Sequence, residues 1–60
     1  MADNLPLDPV ILLSYVNTQL RDFYSSFQDF CDDRGIGERE IGEKLAAIGY
    51  RYSKEHNRFE

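Results

Sequence analysis

The fold is decided by the stretch LDPVILLSYVNTQLRDFY, residues 7–24. Asp8 followed by Pro9 is typical of a helix start, because the carboxylate accepts from free amide groups of the first turn and the donor that proline lacks is not needed there. Leu7, just before this start, is placed to pack on Leu12 as a hydrophobic staple. Apolar residues then recur at helical spacing and predict one buried stripe. The residues of this predicted stripe are Leu12, Val16, Leu20, Phe23 and Phe27.

Two shorter helices are predicted next. Ser25 or Ser26 is placed to cap the second helix, and Ser26 forms a variant capping box with Asp29 three residues later. Gly35 is placed to end it, since glycine adopts the left-handed conformation without penalty. The apolar repeat over residues 41–48 predicts the third helix, and Gly49 closes it.

Gly42 is the glycine that lies inside a predicted helix. A glycine at such a position costs up to about 1 kcal/mol relative to alanine. We therefore expect Gly42 to mark a close approach, either of the first helix or of a partner.

The last segment, YRYSKEHNRF over residues 50–59, alternates aromatic and polar residues around a polar tetrad that suits a hairpin turn. Its inward face would carry Tyr50, Tyr52 and Phe59, and it must lean on the helices because an isolated hairpin is marginal in water. The predicted fold is mainly α, a three-helix domain with a small C-terminal β-hairpin, loosely winged-helix-like. The predicted bounds are one domain over 1–60, helices over about 9–24, 26–34 and 37–48, and a hairpin over about 50–59.

Size and charge narrow the possible functions. The chain has 60 residues and a net charge of −4. A domain of this size is near the lower limit for folding alone, so self-association could add stability. The acidic balance argues against nucleic acid and against anionic membranes, which both attract basic surfaces. The longest apolar run, VILLSYV, is too short to cross a bilayer, and we expect a cytoplasmic protein with no membrane contact.

No pattern of catalytic or metal-binding residues emerges from the sequence. Cys31 is the single cysteine, and it lies in a predicted helix beside acids that raise a thiol pKa, which favours a buried structural thiol. His56 lies in the predicted turn, without a recognisable third group to form a catalytic set with Cys31. The acids around Cys31 do not follow the calcium-loop order. We expect no enzyme activity, no metal, no cofactor and no small-molecule substrate.

An alternative is a winged-helix-like nucleic-acid-binding or regulatory protein, with residues 37–48 as the recognition helix and the hairpin as the wing. That helix would present more glutamates than basic residues to phosphate, which opposes the alternative. A helix-turn-helix crossing is suggested by the spacing of Cys31, Gly35, Ile36, Ile41 and Leu45. The candidate nucleic-acid contacts under this alternative are Arg51, Lys54 and Arg58.

The segments LPLDPVILLSYVNTQLRDFY, KLAAIGYRY and NRF, together with Cys31, resemble a family of short bacterial proteins, domain of unknown function family 4250. The resemblance covers nearly the whole chain, and it implies a stand-alone protein of about this length with no assigned activity and no catalytic residues. Asn17, Arg21 and Asp22 lie in the first of these segments and have no predicted core role. They are either part of a binding surface or, for the charged pair, partners in local salt bridges.

Tyrosine is favoured at contact surfaces, because it combines apolar area with a polar tip, and this small interior cannot bury every tyrosine. The predicted function is therefore a non-catalytic protein-interaction module with an unidentified protein partner, a second copy of the chain included. The candidate interaction surface consists of Tyr15, Asn17, Arg21, Asp22 and Tyr24.

Overall fold

A computed structural model describes residues 5–60, in which three helices precede a two-stranded antiparallel hairpin. This architecture confirms the predicted mainly helical fold with a C-terminal hairpin. Residues 1–4 of the predicted domain lie outside the described residues. The elements are α1 (Pro9–Asp22), α2 (Phe27–Arg34), α3 (Glu38–Ala46), β1 (Tyr52–Ser53) and β2 (Arg58–Phe59).

The first two helices begin at the predicted caps. The Asp8 carboxylate accepts from the Val10 N–H at 3.3 Å, with Pro9 at the first helical position. The Ser26 hydroxyl accepts from the Asp29 N–H at 3.0 Å. Each cap satisfies one of the amide donors that a helix start leaves free.

Glycines end α2 and the turn after α3 in the same way. Gly35 and Gly49 have φ angles of +68° and +88°. Ile36 N–H donates to the Cys31 carbonyl at 2.9 Å, and the residue after Gly49 makes the equivalent bond to Leu45, also at 2.9 Å. These six-to-one bonds are those of Schellman endings, at the two glycines that were predicted to end their helices, and they turn the chain sharply away from each helix.

The core lies where all three helices meet the hairpin. Phe30 is fully buried at its centre, with the rings of Tyr15 and Tyr24 packed edge-on against it. Phe59 is only 3% exposed, so the hairpin closes one side of the core. The buried residues are Leu12, Val16, Leu20, Phe27, Phe30, Cys31, Ile41, Leu45 and Phe59.

Two predictions about apolar residues at the ends of α1 are wrong. Phe23 is 71% exposed, because α1 ends at Asp22 and the Phe23 backbone, at φ −129°, has left the helical path that would carry its side chain inward. The helix was predicted to continue to about residue 24. Leu7 is 87% exposed and so makes no staple with Leu12, and Leu5 packs against the core in its place.

Further predictions change at α2, α3 and the hairpin. Within residues 5–60, no heavy atom lies within 4 Å of the position that a Cβ would take at Gly42, so the predicted close approach of α1 to this glycine is wrong. Tyr50 lies before β1 and is 37% exposed, so the inward aromatic face consists of Tyr52 and Phe59. Helix α2 is one residue shorter than predicted, because Ser26 is its cap. Helix α3 is three residues shorter than predicted, because Gly37 is its cap and residues 47–49 form the closing turn.

Candidate interaction surface

Asn17, a predicted contact residue, holds the hairpin onto α1. Its side-chain N–H donates to the Phe59 carbonyl at 3.1 Å, and its side-chain oxygen accepts from the Phe59 N–H at 2.8 Å. The amide therefore completes the outer edge of β2 as a neighbouring strand would. Asn17 is half-buried and has a structural partner for both of its polar groups.

A second network joins the hairpin turn to the junction between α1 and α2. The Tyr52 hydroxyl accepts from the Phe27 N–H at 3.1 Å and donates to the Asn57 side-chain oxygen at 2.6 Å. The Asn57 side-chain N–H group donates to the carbonyls of Leu20 and Tyr24, at 3.1 and 3.0 Å. The hairpin thus caps the end of α1 through Asn57 and the start of α2 through Tyr52.

Asn57 has a φ of +53°, a left-handed conformation that asparagine tolerates better than most residues. The sequence predicted a turn at residues 54–57 but did not assign this role to Asn57. The preference of asparagine for left-handed turn positions is the signal that would have indicated it.

Arg34, at the end of α2, is a polar centre that the sequence did not reveal. Its guanidinium donates to the Tyr15 hydroxyl at 2.8 Å, to the Gln19 side-chain oxygen at 2.7 Å and to the Tyr24 hydroxyl at 3.2 Å. The Tyr24 hydroxyl donates in turn to Asp33 at 2.6 Å. The two predicted contact tyrosines are therefore half-buried and joined to one arginine, on a surface that links α1 to α2.

Arg21 and Asp22 pair with each other at the exposed end of α1. Two guanidinium nitrogens of Arg21 donate to the two Asp22 carboxylate oxygens at 2.9 and 3.1 Å. These hydrogen bonds hold the pKa of Asp22 below its ordinary value and raise the pKa of Arg21. Both side chains are solvent-exposed, so the pair contributes little to folding and remains accessible to a partner.

The five predicted contact residues do not form one continuous surface. Tyr15 and Tyr24 lie around Arg34. Asn17 and Arg21 line a different feature, a groove of about 760 Å³ between α1 and the hairpin turn, which we call the α1 groove. Its lining residues are Val10, Leu13, Ser14, Asn17, Thr18, Leu20, Arg21, His56, Asn57 and Arg58.

A second groove, of about 480 Å³, lies between α3 and β1, and we call it the α3 groove. Phe27 and Phe59 form its buried apolar floor, and Gly42 lies on its helical wall. Its lining residues are Phe27, Glu38, Arg39, Gly42, Glu43, Ala46, Tyr50, Arg51, Tyr52 and Phe59.

The three basic residues suggested as nucleic-acid contacts lie in separate places. Arg51 lines the α3 groove and Arg58 lines the α1 groove, while Lys54 is exposed in the hairpin turn. The Glu60 carboxylate accepts from Arg58 at 2.9 Å. The Glu60 carboxylate also contacts His56, and the two contacts lower the pKa of Glu60. One of the three cations, Arg58, therefore already has an anionic neighbour.

Cys31 is 1% exposed, as predicted for a structural thiol. Burial, with the nearby charges of Glu38 and Asp32, raises its pKa to about 11. Such a thiol is almost entirely protonated at neutral pH and is therefore a poor nucleophile.

His56 is exposed in the hairpin turn, and its polar contacts are within the hairpin. Its Nδ1 lies 3.0 Å from a Glu60 carboxylate oxygen, and its backbone N–H donates to the Ser53 hydroxyl at 3.2 Å. Across residues 5–60, no three or more of the His, Cys, Asp and Glu side chains are grouped as metal ligands would be. Nor is any helix in that range both long and apolar enough for a membrane crossing.

The fold and its contacts define a small helical domain closed by a C-terminal hairpin. The family model described as domain of unknown function DUF4250 matches residues 6–59. The chain belongs to this family, which confirms the resemblance stated from its sequence. No curated protein and no solved structure matches the chain, so the likeness to winged-helix proteins stays a prediction.

Proposed function

We propose that this chain is a non-catalytic protein-interaction module that binds its partner along the first half of α1 and the α1 groove. The observation that carries the proposal is the exposure of three large aliphatic side chains at this end of α1. Leu7, Val10 and Ile11 are 87%, 62% and 56% exposed. Val10 also lines the apolar end of the α1 groove, next to Leu13.

Apolar exposure of this kind favours association. Fully burying an aliphatic side chain of this size contributes about 1.5–3 kcal/mol, so a partner that covers all three gains a sizeable part of a typical binding free energy. Clustered exposed apolar side chains next to a groove are typical of protein-contact surfaces.

The charges of the α1 groove indicate which partner surface would fit. The ionisable side chains that line it are Arg21, His56 and Arg58, although the chain as a whole has a net charge of −4. The two arginines also contact Asp22 and Glu60, but exposed pairs of this kind contribute little and can exchange for an incoming carboxylate. The expected partner surface is apolar at one end and acidic at the other.

The nucleic-acid alternative receives less support. The exposed surface of α3 carries Glu38, Glu40 and Glu43, and phosphate would be repelled by them. With Cys31 as its single cysteine the chain has no intramolecular disulfide, and we propose that the module works in the cytoplasm.

The proposal is tested by substitution on α1. Val10→Glu places a charge on an exposed position in the proposed surface, and Gln28→Glu adds the same charge on the exposed side of α2 as a matched control. Each chain is immobilised and exposed to lysate from the native host, and every captured protein is purified and its affinity for the three chains is measured.

The expected result is a purified partner whose affinity falls at least tenfold with Val10→Glu and stays unchanged with Gln28→Glu. A second copy of the chain, detected by light scattering as a dimer that Val10→Glu disrupts, would support the same surface. Captured proteins that bind both variants equally, or retention of DNA or RNA alone, would show the proposal to be wrong.

A further inference from the structure

The two edges of the hairpin are not equivalent. Arg51 and Glu60 exchange two backbone hydrogen bonds, at 3.1 and 2.9 Å. Because hydrogen-bonded and non-hydrogen-bonded pairs alternate in an antiparallel ladder, the N–H and C=O groups of the next pair, Tyr52 and Phe59, point away from the hairpin. Asn17 satisfies both groups of Phe59. Within residues 5–60, the backbone groups of Tyr52 have no such partner.

The open edge of β1 lies beside the α3 groove. Tyr52 and Phe59 belong to both the hairpin and the groove lining, and Phe27 completes the apolar floor. On the opposite wall, the space next to Gly42 contains no heavy atom within 4 Å. Glycine inside a helix lowers its stability, and no packing within the described chain requires it at this position. The groove is therefore open where a neighbouring strand would place a side chain.

Arg51 is the cation at this edge, and an acidic side chain of a neighbouring strand could pair with it. Arg51 lies directly opposite Glu60 on the outer face of the hairpin, but the Glu60 carboxylate contacts Arg58 and His56 instead. The Arg51 guanidinium has no ion-pair partner among the described residues. An acidic side chain on an added strand would lie beside Arg51, which also lines the α3 groove. The α3 wall adds Glu38, Arg39 and Glu43, so the charges that line the groove balance, and the attraction for an acidic side chain is confined to Arg51 at the strand edge.

We propose that β1 binds an extended segment of a protein partner by strand addition. The partner backbone pairs with the free N–H and C=O groups of Tyr52, as in other complexes where a peptide extends a sheet edge. An apolar side chain opposite Tyr52 enters the α3 groove beside Gly42, and the residue next to it carries a carboxylate that pairs with Arg51. This surface is separate from the α1 groove, so it stands or falls independently of the function proposed above.

The probe for this site is a library of random seven-residue peptides displayed on phage and selected on the immobilised full chain. We expect the selected peptides to share an apolar residue with Asp or Glu adjacent to it. Affinities of the synthetic peptides are then measured for four variants. Gly42→Gln fills the groove, and Ala47→Gln adds the same side chain at the exposed residue that follows α3, outside the groove lining. Arg51→Ala removes the cation, and Val10→Glu changes the α1 groove instead.

The expected loss of affinity is at least tenfold for Gly42→Gln and severalfold for Arg51→Ala, with no change for Ala47→Gln or Val10→Glu. Amide hydrogen exchange at Tyr52, followed by NMR, should slow on peptide binding. The proposal is overturned if no peptide is selected, if Gly42→Gln binds as the parent chain does, or if the Tyr52 amide exchanges at the same rate in the complex. Peptides that lose affinity with Val10→Glu alone would identify the α1 groove as their site and would equally overturn strand addition at β1.

Discussion

The side-chain amide of Asn17 lies beside Phe59 as a third strand would. Its N–H donates to the Phe59 carbonyl at 3.1 Å, and its oxygen accepts from the Phe59 N–H at 2.8 Å. The two residues are 42 positions apart, so this pair joins the first helix to the end of the hairpin. A two-stranded hairpin with two residues in each strand has little stability of its own. Its order therefore depends on the helices through this pair and through the packing of Phe59.

Replacing Asn17 should loosen this connection. Asn17→Ala leaves both backbone groups of Phe59 without their partner, and we expect the free energy of unfolding to fall by about 2 kcal/mol. The matched control is Thr18→Ala, an exposed neighbour on the same helix whose loss should change stability by less than about 0.5 kcal/mol. Urea unfolding followed by circular dichroism measures both, and equal midpoints for the two variants would contradict the structural role of Asn17.

The Tyr52 hydroxyl gives a second prediction about the same hairpin. Tyr52→Phe keeps the ring packed against Phe27 and Phe59 but removes the oxygen that serves the Phe27 N–H and Asn57. We expect a loss of about 1–2 kcal/mol, since a half-buried donor and acceptor each lose a partner.

The control for this change is Tyr50→Phe, at a more exposed tyrosine whose hydroxyl has no partner among the residues that the structure describes. Thermal unfolding of the two variants separates the outcomes. If Tyr52→Phe melts at the temperature of Tyr50→Phe, the hydroxyl does not hold the two helix ends.

The sequence predicted the helices because each one carries its own local signals. The cap at Asp8, the apolar stripe along α1 and the glycine at position 49 act over a few residues and can be identified without knowing the rest of the chain. The same local reasoning failed at Phe23, because its spacing continues the stripe while the helix ends one residue earlier.

The contacts of the candidate surface could not be predicted in the same way. Asn17 appeared to be free because its partner is backbone 42 residues later, and a backbone partner leaves no pattern in the sequence. Arg34 binds Tyr15 and Tyr24 across the α1–α2 packing, so its role depends on how two helices are juxtaposed. The local alternative for Arg21 and Asp22, a salt bridge between neighbours, was open to prediction and is what the structure shows.

Replacing Gly42 and replacing Gly49 with alanine should change the stability of the folded chain in opposite directions. Gly42→Ala adds a methyl group where no heavy atom lies within 4 Å, so the higher helix propensity of alanine should raise stability by about 0.5–1 kcal/mol. Gly49 has a φ of +88°, which alanine adopts only with strain, and Gly49→Ala should lower stability by about 1 kcal/mol or more. Chemical denaturation gives both values, and a destabilising Gly42→Ala would show that the space beside this glycine is not open.

Cys31 should make the folded state sensitive to alkaline pH. Its pKa is raised from 9.0 to about 11 in the folded chain, so the folded state holds the thiol proton more tightly than the unfolded state does. The resulting stabilisation is fully present below pH 9 and is lost as the pH rises from about 9 to about 11, with a limit of about 3 kcal/mol for two pKa units.

The measurement is the difference in stability between the parent chain and Cys31→Ala, because this difference isolates the contribution of the thiol. Denaturant unfolding at pH 8 and at pH 10.5 should show a larger loss for the parent, and a thiol reagent at pH 8 should label it only at the rate of unfolding. Rapid labelling of the native chain, or the same pH dependence in both proteins, would mean that the thiol is not enclosed by the core.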